Sequence, residues 1–346
     1  MNRSHAAGYR PQIAAPVVCR RAAAVGRVTR AAHRCGRSAI TLMEVLVVVS
    51  IIGMLMALLL PAVQASRESA RRNTCENHVK QLSLAALNHE AAFGRFPSGG
   101  WGFGWVGDPD RGTGPSQPGG WAFDLLPYLE RTDLARIGAG LSEPKKKAAV
   151  TAVLSVPLDV FNCPTRRALQ VSAFDPNVQP ANFNIPPGIA ESDYAINAGD
   201  FILKPTYGPK SYADADKPSY QWPDNSKCTG ICYLRSEVKI AQIADGTGHT
   251  YLIGEKYAVA GGWDPGDDQG MYSGYDYDTY RWTKLPLSPD RRQPWINRFG
   301  SAHPTTCQFA FCDGSVRPIS FDIDASVHRL LGNRKDGTPI DDATIE

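Results

Sequence analysis

Five groups of residues in this chain have types and spacings that could do chemistry. His303 and Asp313 are separated by nine residues and could act as a base and its orienting carboxylate. No Gly-X-Ser-X-Gly nucleophile accompanies them. Asp313-Gly314 between two alternating runs is also a strong hairpin signal, which gives the pair a structural reading. Cys228-Thr-Gly-Ile-Cys232 could close a loop disulfide, or join Cys307 and Cys312 as thiolates for zinc. Cys307 and Cys312 lie five positions apart, so on one regular strand they would face opposite sides. A Gly-rich loop gathers Asp264, Asp267, Asp268, Asp276 and Asp278, hard oxygen donors suited to calcium, without EF-hand spacing. Trp101, Trp105, Trp121, Trp263 and Tyr275 could stack sugars or pin the loops onto a small core.

The last group is one residue, Glu44. It stands at the mouth of an apolar run, Val45 to Leu60, that has no charge and no Pro. A run of this kind can cross a hydrocarbon core of about 30 Å as a helix. A carboxylate there costs about 2.5 kcal/mol or more unless it is partnered. The residues before the run, 1–39, hold eight Arg and no Lys, Asp or Glu, which retains that flank in the cytoplasm. The run is longer than a signal-peptide core and no small-residue cleavage site follows it, so a retained span is expected.

The elements that must position these groups follow in order. Val79, Leu82, Ala86 and His89 recur at helical spacing while Arg67, Arg71, Arg72 and Lys80 fall outside the stripe, so the helix should continue past Pro61 to Gly94. Further helices are predicted over 121–130, 142–156 and 325–331. Strands are predicted at 193–197, 240–243, 250–255 and on either side of Asp313-Gly314, with 205–228 as an exposed insertion. Gly and Pro supply 32 and 26 of the 346 residues, so the body should be rich in loops.

The formal charge of +3 conceals a leader at +8 and a remainder at −5, and no basic stripe suited to nucleic acid remains. Six cysteines lie beyond the leader, an even count that permits disulfides in an exported protein without saying how they pair.

The order Ala39-Ile40-Thr41-Leu42-Met43-Glu44 resembles the leader junction of type IV pilins and type II secretion pseudopilins. The resemblance implies cleavage by a prepilin peptidase between Ala39, where the family prefers Gly, and Ile40, with Glu44 at the fifth mature position. It implies methylation of the new N-terminus and a Glu44 that neutralises the amine of a neighbouring subunit. Pro61 lies where that family bends its helix. His303 with Asp313-Gly314 is similar to the H-X9-DG signature of the DUF1559 family of large prepilin-like proteins, as are segments 125–130, 243–247 and 276–282.

The expected architecture is α+β and pilin-like: a long N-terminal transmembrane helix packed on an antiparallel sheet, with long loops. Residues 1–39 form the leader, 40–93 the helix with its span at about 42–63, and 94–346 the body. A single-pass inner-membrane protein follows, with its N-terminus cytoplasmic and its body periplasmic or extracellular. Its expected partners are the membrane, the peptidase and other pilin-like subunits, and it is expected not to be an enzyme. The alternatives are a tethered glycan-binding module and a hydrolase built on His303 and Asp313.

Overall fold

The computed structural model describes residues 41–345, so Ala39 and Ile40 lie outside the described residues. Helix α1 spans Leu42–Phe93 and passes through Pro61 without interruption. Thr41 and Glu44 close its start as a reciprocal pair: the Glu44 carboxylate accepts the Thr41 N–H (2.8 Å) and hydroxyl (3.0 Å), and Thr41 Oγ1 accepts the Glu44 N–H. At its other end Gly94 takes φ +67° and donates its N–H to the Glu90 carbonyl, the left-handed ending that Gly permits.

The chain divides into two compact units at Leu58. The stretch of α1 before that point is apolar, and its large side chains are exposed. Within the second unit α1 buries Cys75, His78, Val79, Leu82, Ser83, Ala85, Ala86 and His89. This is the stripe expected from the spacing, extended one turn back to Cys75.

The body is built on a five-stranded sheet. In chain order its strands are β1 (Tyr194–Asn197), β2 (Tyr251–Glu255), β3 (Tyr280–Arg281), β4 (Thr306–Phe311) and β5 (Val316–Ser320). Their spatial order is β3-β1-β2-β4-β5. All neighbours are antiparallel except β1 and β3, so the sheet is mixed rather than wholly antiparallel. The β4–β5 hairpin turns at Asp313-Gly314, with Gly314 at φ +83°. The segment 240–243 is not a strand. Ile240–Gln242 forms a single 3-10 turn, closed by the Gln242 side chain accepting the Lys239 N–H.

One irregularity decides what each sheet face presents. Tyr251 pairs with Phe311, but Ile253 pairs with Ala310, so β2 carries an extra residue between them. In a regular strand Tyr251, Ile253 and Glu255 would share a face. The bulge leaves Tyr251 with Phe309, Phe311 and Ile319 in one apolar cluster. It turns Ile253 to the opposite cluster, with Ile196, Ala310, Cys312 and the α1 stripe. Glu255, paired with Tyr194, follows Ile253 onto the α1 side. Cys307 and Cys312 fall in opposite clusters, as their spacing requires.

Near its C-terminal end α1 meets helix α2 (Trp121–Leu125) through His89 and Asp124, whose Nε2 and Oδ2 lie 3.9 Å apart. His89 Nδ1 contacts the Arg95 carbonyl, and Asp124 accepts the Ser98 N–H. Burial pushes His89 down from 6.5 to about 4 and Asp124 up from 3.8 to about 7, so both groups are held neutral between those values.

Two outcomes follow. Leu82→Ala should cost about 2–5 kcal/mol in denaturant unfolding of the detergent-solubilised chain, whereas Leu84→Ala, on the exposed side, should stay within about 0.5 kcal/mol. The two titrations have opposite signs. Asp124 binds its proton more tightly when folded, so its contribution is complete below pH 3.8 and is lost as pH rises through about 7. His89 binds its proton less tightly when folded, so its contribution is lost as pH falls from 6.5 through about 4. Asp124→Asn leaves the second effect unopposed. Unfolding followed across that window should show the variant gaining stability with rising pH more steeply than the parent.

Candidate functional site

Helix α1, the loop that carries Cys163 and the end of β2 converge on His303. Glu68 and Cys75 lie seven residues apart on α1, two turns along one face. Cys163 follows the 3-10 turn Asp159–Phe161. Its N–H donates to Asp193 Oδ2 (2.6 Å), while the Asp193 N–H donates to the Phe161 carbonyl, so the loop is tied to the head of β1. Glu255 ends β2 on the α1 side because of the bulge. His303 enters β4 from a turn in which its N–H donates to Ser301 Oγ (3.0 Å).

His303 Nδ1 lies 2.6 Å from Glu68 Oε1, and Nε2 faces Glu255 Oε1 at 3.4 Å and Cys163 Sγ at 3.9 Å. Cys75 Sγ is 2.9 Å from Cys163 Sγ. Glu255 Oε2 accepts the Gln308 N–H at 2.8 Å, but Oε1 is buried without a hydrogen-bond partner. Burial opposes charging His303, but contact with Cys163, Glu255 and Glu68 outweighs it and raises the imidazole to about 9. The Cys75 contact, then burial, pushes the Cys163 thiol up, and burial raises Glu255. One ligand atom from each of Cys75, Cys163, Glu255 and His303 lies within 4.8 Å of all the others, and together they could hold a metal ion.

A cleft of about 640 Å³ opens beside this cluster, lined by Arg166, Arg167, Trp263, Asp290, Ser301 and His303. Its wall is an ion-pair network. Arg166 pairs with Asp193 and Asp290, and Arg167 pairs with Glu191, Asp193 and Asp267. Burial works against ionising Asp193, but Arg167 and Arg166 hold its carboxyl below the usual range. Through Asp193 the two arginines also place the backbone that carries Cys163.

The carboxylates at His303 are therefore Glu68 and Glu255. Asp313 stands at the hairpin turn, where its Oδ1 accepts from the Ser315 N–H and hydroxyl. Gly314 is placed against α1, its carbonyl accepting Lys80 Nζ at 2.6 Å. The acidic loop does not gather round an open cation position. Lys256 Nζ, fully buried, is held there by Asp267 (2.6 Å) and by the carbonyls of Asp278 (2.7 Å) and Gly266 (3.2 Å). Asp264 caps the turn by accepting the N–H groups of Val259 and Gly266, and Asp278 accepts those of Gln269 and Gly270. Burial and mutual repulsion push Asp268 up to about 8 and raise Asp276. Among the described residues, the group of three or more ligand atoms within 4.8 Å is the His303 cluster, not this loop.

Cys228 and Cys232 are free buried thiols rather than a bridged pair. Cys232 turns toward Ser236 and Tyr280, whereas Cys228 lies beside Arg334. Trp101, Trp105, Trp121 and Tyr275 are buried and form no platform, while Trp263 is 69% exposed. Trp101, Trp105 and Trp121 each donate Nε1–H to a loop carbonyl, at Pro115, Pro209 and Thr279.

A family model described as a protein of unknown function, DUF1559, matches residues 64–326. The chain belongs to the DUF1559 family. No curated protein and no solved structure matches it. In this DUF1559 chain both ends of the H-X9-DG signature touch α1, His303 at Glu68 and Gly314 at Lys80. Spacing alone had linked His303 to Asp313. Cys75 was legible as a backward continuation of the apolar stripe, but its meeting with Cys163, 88 residues on, has no local signal.

Arg167→Met should leave Glu191, Asp193 and Asp267 short of a buried cation and cost about 3–5 kcal/mol in denaturant unfolding. A cost below about 1 kcal/mol would class these pairs with solvent-screened surface bridges.

Proposed function

We propose that this chain is a structural pilin- or pseudopilin-like subunit of a type II secretion or type IV pilus-like assembly, and not an enzyme. The observation that carries the reading is one helix with two characters. Its most apolar 18-residue window has a mean hydropathy of 2.7 and no buried residue, whereas from Cys75 onward it supplies the core of the body. Exposed apolar surface of that extent needs lipid or the helices of neighbouring subunits to cover it. The helix is long and apolar enough to cross a membrane once.

Glu44 supports the finer reading. It sits in the first turn of the apolar segment, where among the described residues its partner is Thr41. A carboxylate at that depth favours a cation, and an α-amine released at Ile40 of an adjacent subunit would supply one. Such a pair would set the stagger between subunits, while packing of the apolar segments would supply cohesion. In this reading the N-terminus is cytoplasmic, the body lies outside the inner membrane, and a prepilin peptidase acts between Ala39 and Ile40.

Intact-mass measurement of the chain extracted from its native membrane should show an N-terminus at Ile40 carrying a methyl group. Glu44→Ala should lower the assembled fraction by at least about tenfold, since a charge left unpaired in hydrocarbon costs about 2.5 kcal/mol or more. A mature chain beginning at Met1, or undiminished assembly of the variant, would overturn the proposal.

A further inference from the structure

The cluster at His303 holds more ligand atoms than its hydrogen bonds use. Glu255 is fully buried, yet its Oε1 has no hydrogen-bond partner. Two buried thiols stand against each other beside it. Among the described residues, Oε1 is engaged only by the 3.4 Å ionic approach of His303 Nε2, so it keeps lone pairs free for a cation.

We infer that Cys75, Cys163, His303 and Glu255 form a binding site for a thiophilic divalent cation of the zinc class. The donor set is two sulfurs, one imidazole nitrogen and one carboxylate oxygen, the mixture that selects zinc over the hard cations calcium and magnesium. Glu68 supplies the outer partner. Its 2.6 Å contact holds His303 Nδ1–H and turns Nε2 toward the other three donors. A carboxylate behind a ligating histidine is the usual arrangement at such centres.

The separations can be compared with those of a tetrahedral zinc ion, whose bonds of about 2.3 Å to sulfur and about 2.0–2.2 Å to nitrogen and oxygen set the spacing between ligands. They require about 3.4 Å between nitrogen and oxygen and about 3.6 Å between nitrogen and sulfur. His303 Nε2 lies 3.4 Å from Glu255 and 3.9 Å from Cys163. The sulfurs, at 2.9 Å, must part by about 0.9 Å to reach the roughly 3.8 Å that the same bonds require. A χ1 adjustment of Cys75 can supply this movement. Binding replaces the two thiol protons and the Nε2 proton, which leave to solvent. The cleft lined by His303, Ser301 and Arg166 gives a path to the site.

The consequence is mechanical. Cys75 belongs to α1, and the other three ligands belong to the body, so the ion would staple the helix to the sheet and loops. This inference does not depend on the assembly reading.

The test uses the full chain in detergent, purified under reducing conditions, with Zn²⁺ and Co²⁺ alone as probes. Elemental analysis should give one zinc per chain, with a Kd tighter than about 100 nM, and zinc should raise the unfolding midpoint. Co²⁺ on the unaltered chain should give intense thiolate-to-metal charge transfer with tetrahedral d–d bands, a readout that needs no variant to fold. Cys163→Ser and His303→Gln should weaken zinc at least tenfold, whereas Cys307→Ser, a buried thiol outside the cluster, should not. Absence of the cobalt bands would overturn the inference. So would zinc retained by Cys75→Ser combined with Cys163→Ser, or a native peptide map showing a Cys75–Cys163 disulfide and no zinc.

Discussion

An imidazole held between two carboxylates in the interior fixes how α1 lies on the body. The apolar stripe of Val79, Leu82 and Ala86 supplies most of the burial, but burial is non-directional and leaves sliding motions weakly opposed. Polar contacts resist sliding because each loses a partner when the register shifts. Glu68 meets His303 at one end of the contact and Lys80 meets the Gly314 carbonyl further along. These points are twelve residues apart, about 18 Å of helix rise. A one-residue slip turns the helix by about 100° and breaks both, leaving groups unpaired at a cost of about 1–3 kcal/mol each.

That clasp depends in turn on the bulge in β2. Without the extra residue between Tyr251 and Ile253, Glu255 would point into the cluster of Phe309, Phe311 and Ile319, where an ionised carboxylate has no partner. With it, Glu255 lies on the same side as Cys75 and faces His303. The Arg166–Asp193–Arg167 network adds the third support, since Asp193 binds the backbone of Cys163 and both arginines bind Asp193. The site is thus held by one helix face, one strand irregularity and one buried ion network, none of them adjacent in sequence.

This explains what could be read from the residues and what could not. Helix α1, the β4–β5 hairpin and the helix Ala325–Gly332 carry local signals: a stripe at helical spacing, Asp-Gly between alternating runs, and an Asp324 cap. The segment 240–243 misled because a short apolar run fits a strand or a turn equally, and the Lys239–Gln242 hydrogen bond decides for the turn. The face of Glu255 was illegible because period-2 alternation assumes a regular strand. The acidic loop and the tryptophans each allowed two readings, and in both the structural one holds. Their composition fits exposed recognition surface equally well, but Asp267 holds the buried Lys256, Asp264 and Asp278 accept backbone N–H groups, and the indoles of Trp101, Trp105 and Trp121 bind backbone carbonyls. A body with so much Gly and Pro has few ladder hydrogen bonds, so its buried polar groups must be satisfied by side chains instead.

The H-X9-DG signature acquires a physical meaning from this arrangement. Its histidine and glycine are placed at the two ends of β4 and its turn, and both reach the same helix. The aspartate between them serves the turn that delivers the glycine carbonyl, by accepting the Ser315 N–H. An imidazole with Nδ1 engaged by Glu68 and Nε2 turned inward to Glu255 and Cys163 has neither nitrogen directed at Asp313. The spacing within the signature therefore measures a strand and a turn, set so that two contacts land on α1 twelve residues apart. The hairpin that carries the signature thus holds α1 in a fixed register on the body.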